Sequence, residues 1–295
     1  MRFNYFNREF YDENGYVIIN LNLSDQDIKS ARVSFEKIYN KTKKFEYKFF
    51  RVYDDYIGFP NISGIEMPLH KNIIDDGIIN FLNKSNIPSI SYDLLGNDVK
   101  IALSRYHVTR NYSHVGIWHR DGKYNENNSI QYQYYLYDET GIEIIPKSHK
   151  RDFYDHEKKQ LKKSLYSKLK NSVHVSVLAG DLLVFNPSII HRGISRNDRA
   201  NIHFRIVRDE NFDLSEIDYN NKFSRDWKRI LNNKNSIIED NKIQLYSEQN
   251  TLKRKILRVI RTFLHYLLFF LPYDSYLCAK LRFMPSLRMN KSSKK

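Results

Sequence analysis

From about residue 98 the chain breaks into short β-rich runs, and this pattern limits the fold more than any other feature. "VKIALSRYHVT", "SIQYQYYLY", "GIEIIP", "VHVSVL", "GDLLVFNP" and "ANIHFRIVR" follow one another, separated by turn residues. Branched and aromatic side chains at this density favour extended backbone, and the Gly, Pro, Asn and Asp between them favour turns. Short strands with unequal connections are satisfied by a β-sandwich or jelly roll, in which strands distant in sequence lie side by side.

Ahead of this region the signals alternate. "REFYDENGYVIIN" reads as a short helix, a turn at Asn14-Gly15 and an apolar strand. "LSDQDIKSARVSFEKIYNKT" follows as a helix with Ser24 at the N-cap, Asp27 three residues on, and Ile28, Ala31, Phe35 and Ile38 on one face. Residues 41–97 are mixed, with turns near Gly58-Phe59-Pro60 and Met67-Pro68. Inside the β-rich region, "DHEKKQLKKSLYSKLKN" is a Lys-rich helical insert. Its lysines at 158–170 are read as a solvated face, in preference to a lid that attracts phosphate or carboxylate.

The apolar content of 41%, with 14% aromatic, is enough for a sizeable core. Cys278 is the single cysteine, so no intrachain disulfide or Cys-rich metal site can form. The start, "MRFNYFNREF", has no apolar run of the secretory kind, and a reducing, cytoplasmic setting is the expectation.

The net charge of +14 is unevenly spread. Residues 251–295 hold 11 Lys and Arg against one acid, Asp274, leaving 37 basic against 33 acidic residues in the rest. A nucleic-acid partner is therefore not implied for the body of the chain. Three units are expected: 1–210 with a β core over about 98–210, a polar connection at 211–250, and a basic amphipathic C-terminal helix within 251–295. In that helix Arg254, Arg258 and Arg261, with His265, form one basic stripe. Its longest uncharged stretch, Thr262 to Tyr273, is 12 residues, short of the roughly 20 that span a bilayer. It suits either the interface of an anionic membrane, at the inner face, or docking on the core or a second subunit.

The residues that carry chemistry lie in two of the β-rich stretches. "WHRDG" places His119 and Asp121 two apart, and "GDLLVFNPSIIHRG" places His191 after a strand and a turn. A jelly roll brings such distant strands together at its mouth. Two imidazoles and one carboxylate on one face are the set that holds non-haem Fe(II) with positions left open. An anionic chelating cosubstrate needs its far carboxylate held, which a guanidinium does bidentately. Arg199 and Arg205 share strand parity beyond His191, and Arg199, opening the strand, is expected nearest the mouth. Trp118 is expected to pack beside the site.

These elements together resemble the phytanoyl-CoA dioxygenase family of Fe(II)/2-oxoglutarate oxygenases. The likeness is carried by "FNREFYDENGYVIIN", "WHRD", "YYLYDETGIEIIPKSHK", "GDLLVFNPSIIHRG" and the following arginine; it covers about residues 5–210 and leaves out the tail. It implies a double-stranded β-helix (a cupin-like jelly roll) with flanking helices. It also implies His119, Asp121 and His191 as iron ligands, Arg199 as the 2-oxoglutarate anchor with Arg205 as the rival, and O2 as co-reactant. Gln131 and Gln133 stand where the family places side chains over the cosubstrate, the second usually aromatic. His149, in Pro-Lys-Ser-His at 146–149, is read as structural.

The resemblance implies oxidative decarboxylation of 2-oxoglutarate coupled to hydroxylation. Asp121 argues against halogenation, since related halogenases lack that carboxylate. The basic tail and insert point to an anionic substrate: a small molecule, an acyl-CoA, a sugar precursor or a lipid-linked group. Two rival readings are weighed below it. One is an oxidative nucleic-acid demethylase of the same superfamily, disfavoured by the position of the charge. The other is a non-catalytic peripheral membrane protein on a degenerate oxygenase fold.

Overall fold

The computed structural model describes residues 1–43, 51–54, 62–66, 75–109, 114–115, 118–122, 124–125, 127–163, 167–195, 199–208, 225 and 227. At 39, 41–43, 51–54, 62–66, 102–109, 114–115, 140, 195 and 199 it describes the backbone alone. The expected tail helix with Arg254, Arg258 and Arg261, and nearly all of the 211–250 connection, lie outside the described residues. Among the described residues no helix is long and apolar enough to cross a membrane.

The strands are β1 (Arg2–Phe3), β2 (Tyr16–Asn20), β3 (Arg51–Asp54), β4 (Ile62–Glu66), β5 (Val99–Thr109) and β6 (His114–Val115), then β7 (Ser129–Tyr135), β8 (Glu139–Ile144), β9 (Val173–Val177), β10 (Asp181–Phe185), β11 (His191–Ser195) and β12 (Arg199–Arg208). The helices are α1 (Arg8–Asn14), α2 (Asp25–Lys43), α3 (Asp76–Asn83), α4 (Ile87–Leu95) and α5 (Asp155–Lys163). They pair into an eight-stranded sheet, β1-β2-β10-β7-β12-β5-β4-β3, and a four-stranded sheet, β6-β11-β8-β9. Between β5 and β12 the chain crosses repeatedly from one sheet to the other. That winding is the double-stranded β-helix the strand pattern allowed.

Strand parity separates two cores. Ile130, Tyr132, Tyr134 and Leu136 of the β7 region face outward with Leu182, Val184, Ile202, Phe204 and Ile206, against Ala31, Phe35 and Ile38 of α2 and Ile78, Phe81 and Leu82 of α3. Each of the larger apolar side chains here, fully buried, contributes about 1.5–3 kcal/mol, which is why helices cover this face. Phe81 stacks on Tyr134 with ring centroids 3.7 Å apart. The opposite face packs Tyr16, Ile18, Tyr135, Leu183 and Phe185 against Ile142, Ile144, Val175 and Val177 of the smaller sheet. Gln131 and Gln133, of the same parity as Tyr135, therefore point into the barrel, and both are buried.

Local chemistry sets the helix ends, at Gly15 and Ser24 as expected and at Asn7 by a cap outside the sequence expectations. Asn7 caps α1 through the amide of Phe10, at 2.9 Å, and Gly15 ends it with φ +80°. Ser24 and Asp27 bond reciprocally at the start of α2: the Asp27 amide donates to Ser24 Oγ at 3.2 Å and the Ser24 amide to Asp27 at 3.3 Å. One contact reaches the core from beyond the β-rich region. Trp227 is fully buried, donates its Nε1–H to the Leu82 carbonyl at 2.8 Å, and packs on Phe204 at 5.6 Å.

Candidate metal centre

The turn after β10 and the stretch before β7 are tied backbone to backbone. The amides of Asp121 and Gly122 both donate to the Pro187 carbonyl, at 2.8 and 3.0 Å. His119 and His191 exchange both backbone hydrogen bonds at 3.0 Å, so the first histidine is carried as an extra rung on β11. Arg120, between the two outer ligand candidates, points away from them. Its guanidinium donates to the carbonyls of Ser148, Ser188 and Arg151 and lies over the Phe153 ring. Alternation along the extended backbone then turns His119 and Asp121 to the same side as His191.

The three side chains meet. Asp121 Oδ1 lies 3.7 Å from His119 Nε2, and Asp121 Oδ2 lies 3.6 Å from His191 Nε2. One ligand atom from each residue fits within 4.8 Å of the others. Metal bonds of about 2.1 Å at right angles would put adjacent donors about 3 Å apart, so each histidine nitrogen would close on the Asp121 carboxylate by roughly 0.6–0.7 Å. His191 Nδ1 is 3.0 Å from the Ile189 carbonyl, which accepts its N–H and leaves the Nε2 lone pair facing the other two residues.

Electrostatics favour the binding forms. Burial, reinforced by His119, pushes the His191 imidazole down to about 4, against the pull of Asp121 and the bond to Ile189. It is therefore neutral at neutral pH, as metal ligation requires. Burial alone would raise the Asp121 carboxyl. The attraction of His191 and His119 and the Gln131 hydrogen bond outweigh it and hold the group well below the usual carboxylate range. The Asp121 side chain keeps 32% of its surface open while His191 keeps 7%, so the carboxylate is the more accessible of the two.

The other expected residues divide. Gln131 Nε2 donates to Asp121 Oδ2 at 2.6 Å, and Gln133 accepts from the Tyr135 hydroxyl at 2.5 Å. Arg205 pairs in register with Gln131, and its Nη2–H donates to the Asp121 carbonyl at 3.2 Å. Its Nε is buried without a partner in the described structure. Arg199 pairs with Thr109 at the other end of β12, and its side chain lies outside the described residues. Arg199 was expected nearest the mouth; the register instead puts Arg205 beside the triad, because β12 runs back toward the metal candidates as it leaves the β11 turn. Trp118 is buried and packs, donating to the Ser167 carbonyl at 2.8 Å. His149 is structural, its Nε2 bonded to the Asp12 carbonyl. The lysines of α5 at 158, 159, 162 and 163 are exposed, as a solvated face should be.

Three features lie beyond the sequence expectations. His203 Nε2 sits 2.6 Å from Gln131 Oε1. Arg192 and Glu143 form a buried ion pair at 2.6 Å, with the guanidinium over Trp118. Arg120 is the third. Only His203 had a signal in the sequence: it shares the parity of Arg199 and Arg205.

The family model of phytanoyl-CoA dioxygenase (PhyH) matches residues 11–199. Among solved structures, AviO1 from Streptomyces viridochromogenes Tue57 is 16% identical over 72% of this chain and 96% of its own, with a TM-score of 0.52. EctD from S. alaskensis, solved with 2-oxoglutarate and 5-hydroxyectoine, is 14% identical over 69% of this chain and 76% of its own, with a TM-score of 0.54. HygX from Streptomyces hygroscopicus, with nickel and 2-oxoglutarate bound, is 15% identical over 73% and 92%, with a TM-score of 0.53. At these identities the likeness is one of fold. No curated protein sequence matches the chain.

Proposed function

The chain belongs to the phytanoyl-CoA dioxygenase family, and on that footing we propose that it is an Fe(II)- and 2-oxoglutarate-dependent oxygenase that hydroxylates a small or carrier-linked anionic substrate. The observation that carries this reading is the convergence of His119, Asp121 and His191 within 4.8 Å at the end of the barrel. Two nitrogen donors and one carboxylate suit Fe(II) with positions left open. The structurally similar EctD and HygX were solved with 2-oxoglutarate, and EctD also with bound Fe.

With iron, 2-oxoglutarate and O2 bound, the chemistry supplied is oxidative decarboxylation to succinate and CO2, one oxygen atom going to the substrate carbon. The chain's own residues hold and orient. His119 and His191 present nitrogen lone pairs, and Asp121 supplies the charge that offsets part of the cation's. Arg205 is assigned the far carboxylate of 2-oxoglutarate: its guanidinium stands at the triad, and its buried Nε–H lacks an acceptor that an anion would provide. Asp121, a carboxylate that halide would have to replace, favours hydroxylation.

The test is an anaerobic optical titration with Fe(II), then 2-oxoglutarate. Wild type should show a visible charge-transfer band, absent in His119→Ala and weakened in Arg205→Ala more than in Arg199→Ala. A folded wild type without the band would overturn the proposal. Loss in Arg199→Ala instead would move the anchor along β12.

A further inference from the structure

We propose that Gln131 and His203 form a positioning relay that holds Asp121 in its metal-binding orientation, with His203 acting on it through Gln131. This rests on the reading of the triad as a metal site. Gln131 was expected over the cosubstrate, yet its amide nitrogen is committed to Asp121 Oδ2 at 2.6 Å, and its amide oxygen to His203 Nε2 at 2.6 Å.

The directions of these bonds follow from the groups themselves. An ionised carboxylate only accepts, so the amide must turn its NH2 toward Asp121. That leaves the amide oxygen facing His203, which must then carry its proton on Nε2 and donate. An amide has two ends of nearly equal size, and without a fixed donor it can rotate and present oxygen to the carboxylate. Two acceptors at 2.6 Å repel. With its proton on Nε2, His203 supplies the donor that the amide oxygen needs in the orientation the carboxylate sets, so both ends of the amide are satisfied together and Asp121 has one anchored oxygen.

The fold sets the relay in place. Gln131 and His203 lie on adjacent strands β7 and β12, where His203 pairs with Gln133 and Arg205 pairs with Gln131. Their side chains are 1% and 6% exposed, so water does not compete for these bonds. Phe185 lies 5.2 Å edge-on from His191 and 6.4 Å from the His203 ring, beside the His203 end of the relay. With Oδ2 engaged, Asp121 cannot rotate freely about its last bond, and ligation through one oxygen is favoured over chelation through both.

The experiment measures Co(II) binding to the full chain by its visible ligand-field absorption, with circular dichroism confirming the fold of each variant. Partners of ligating side chains typically contribute 10–100-fold in metal affinity. Gln131→Ala should weaken Co(II) by about tenfold or more, and His203→Ala by a similar factor. The double variant should bind no more weakly than Gln131→Ala alone, since His203 works through that amide. His203→Gln, which keeps an Nε2–H donor at similar reach, should restore binding to within about twofold and recover the wild-type spectrum, which a merely structural loss would not allow. Unchanged Co(II) affinity in Gln131→Ala, with only 2-oxoglutarate binding lost, would overturn the relay and return Gln131 to the cosubstrate. Multiplying effects in the double variant would also overturn it. A folded wild type that binds no Co(II) would overturn the metal reading itself, and is distinguished from the other failures by being seen before any substitution.

Discussion

His119 and His191 are joined by two backbone hydrogen bonds of 3.0 Å that involve neither imidazole. The site is thus held together by main chain, and metal adds to a structure already closed. At a hundred times its dissociation constant, a metal that binds only the folded chain contributes about 2.7 kcal/mol. Thermal unfolding should therefore shift upward with Co(II) or Ni(II) in wild type. In His119→Ala the metal-free transition should stay within about 2 °C, while the metal-induced shift disappears.

The Arg192–Glu143 pair predicts an asymmetric response. Both side chains are buried and bond at 2.6 Å beside Trp118. Removing one partner strands the other charge, so Arg192→Ala should cost about 3–5 kcal/mol in urea unfolding. The double replacement Arg192→Met with Glu143→Leu should recover most of that loss. Equal destabilisation by single and double variants would show that packing on Trp118, and not charge, is what the pair supplies.

Gly15 has no room for a side chain. It adopts φ +80°, and a Cβ built there would stand 2.4 Å from His149 Nδ1. Gly15→Ala should therefore combine backbone strain with displacement of the imidazole, lowering stability by about 1–3 kcal/mol. Adding His149→Ala should relieve the steric part and leave the strain, a difference readable in the denaturant midpoint.

His149 also predicts acid sensitivity. Burial is the main cause that lowers its pKa, with Lys150 and Arg120 adding to it and the Asp12 carbonyl bond opposing. A group whose folded value is depressed favours folding in its neutral form. The associated stability is therefore full above the unfolded value of about 6.5 and is lost as pH falls below it. His191 moves in the same direction, its loss reaching down to about 4. His149→Gln, which cannot titrate, should make the decline in melting temperature between about pH 6.5 and 5 shallower without abolishing it.

Trp227 lies past residue 199, where the family match ends, yet it fills the space between α3 and β12. Trp227→Ala should cost about 3–5 kcal/mol, chiefly by cavity formation since the Leu82 carbonyl keeps its bonds from Ser85, and Trp227→Phe clearly less. An effect below about 0.5 kcal/mol in urea unfolding would show that the indole is not part of the cooperative core.

Strands β5, β7, β10 and β12 could be read in advance because each is an apolar or aromatic run closed by turn residues. β11 could not: His-Arg-Gly-Ile-Ser has no alternation, and its extended form comes from pairing with β8 and with His119. α3 and α4 do carry cap residues, Asp75 before the first and Pro88 and Gly96 around the second, but these short signals lie inside the mixed stretch 41–97 and do not stand out from it. In the site, the three ligand candidates were legible as residue types in sequence order. That Arg199 and Arg205 share a face followed from parity, but which of them stands beside the triad depends on where β12 registers against β7, a property of two distant segments. The Gln131–His203 bond and the Arg192–Glu143 pair are hidden for the same reason. Each joins side chains that only the closed barrel makes neighbours.

With His119, Asp121 and His191 as the proposed ligands, the bridge between His119 and His191 also bears on when the chain would first take up a metal. During synthesis His119 and Asp121 emerge together as a two-ligand fragment, with no β11 to hold them and no third donor. At about 5–20 residues per second, His191 follows on the order of several seconds later, and the supporting β12 later still. A nascent chain thus offers only a weak, open chelate to whatever divalent ion is abundant. The discriminating geometry arises when the two sheets meet, so selection of the metal is deferred to the finished fold.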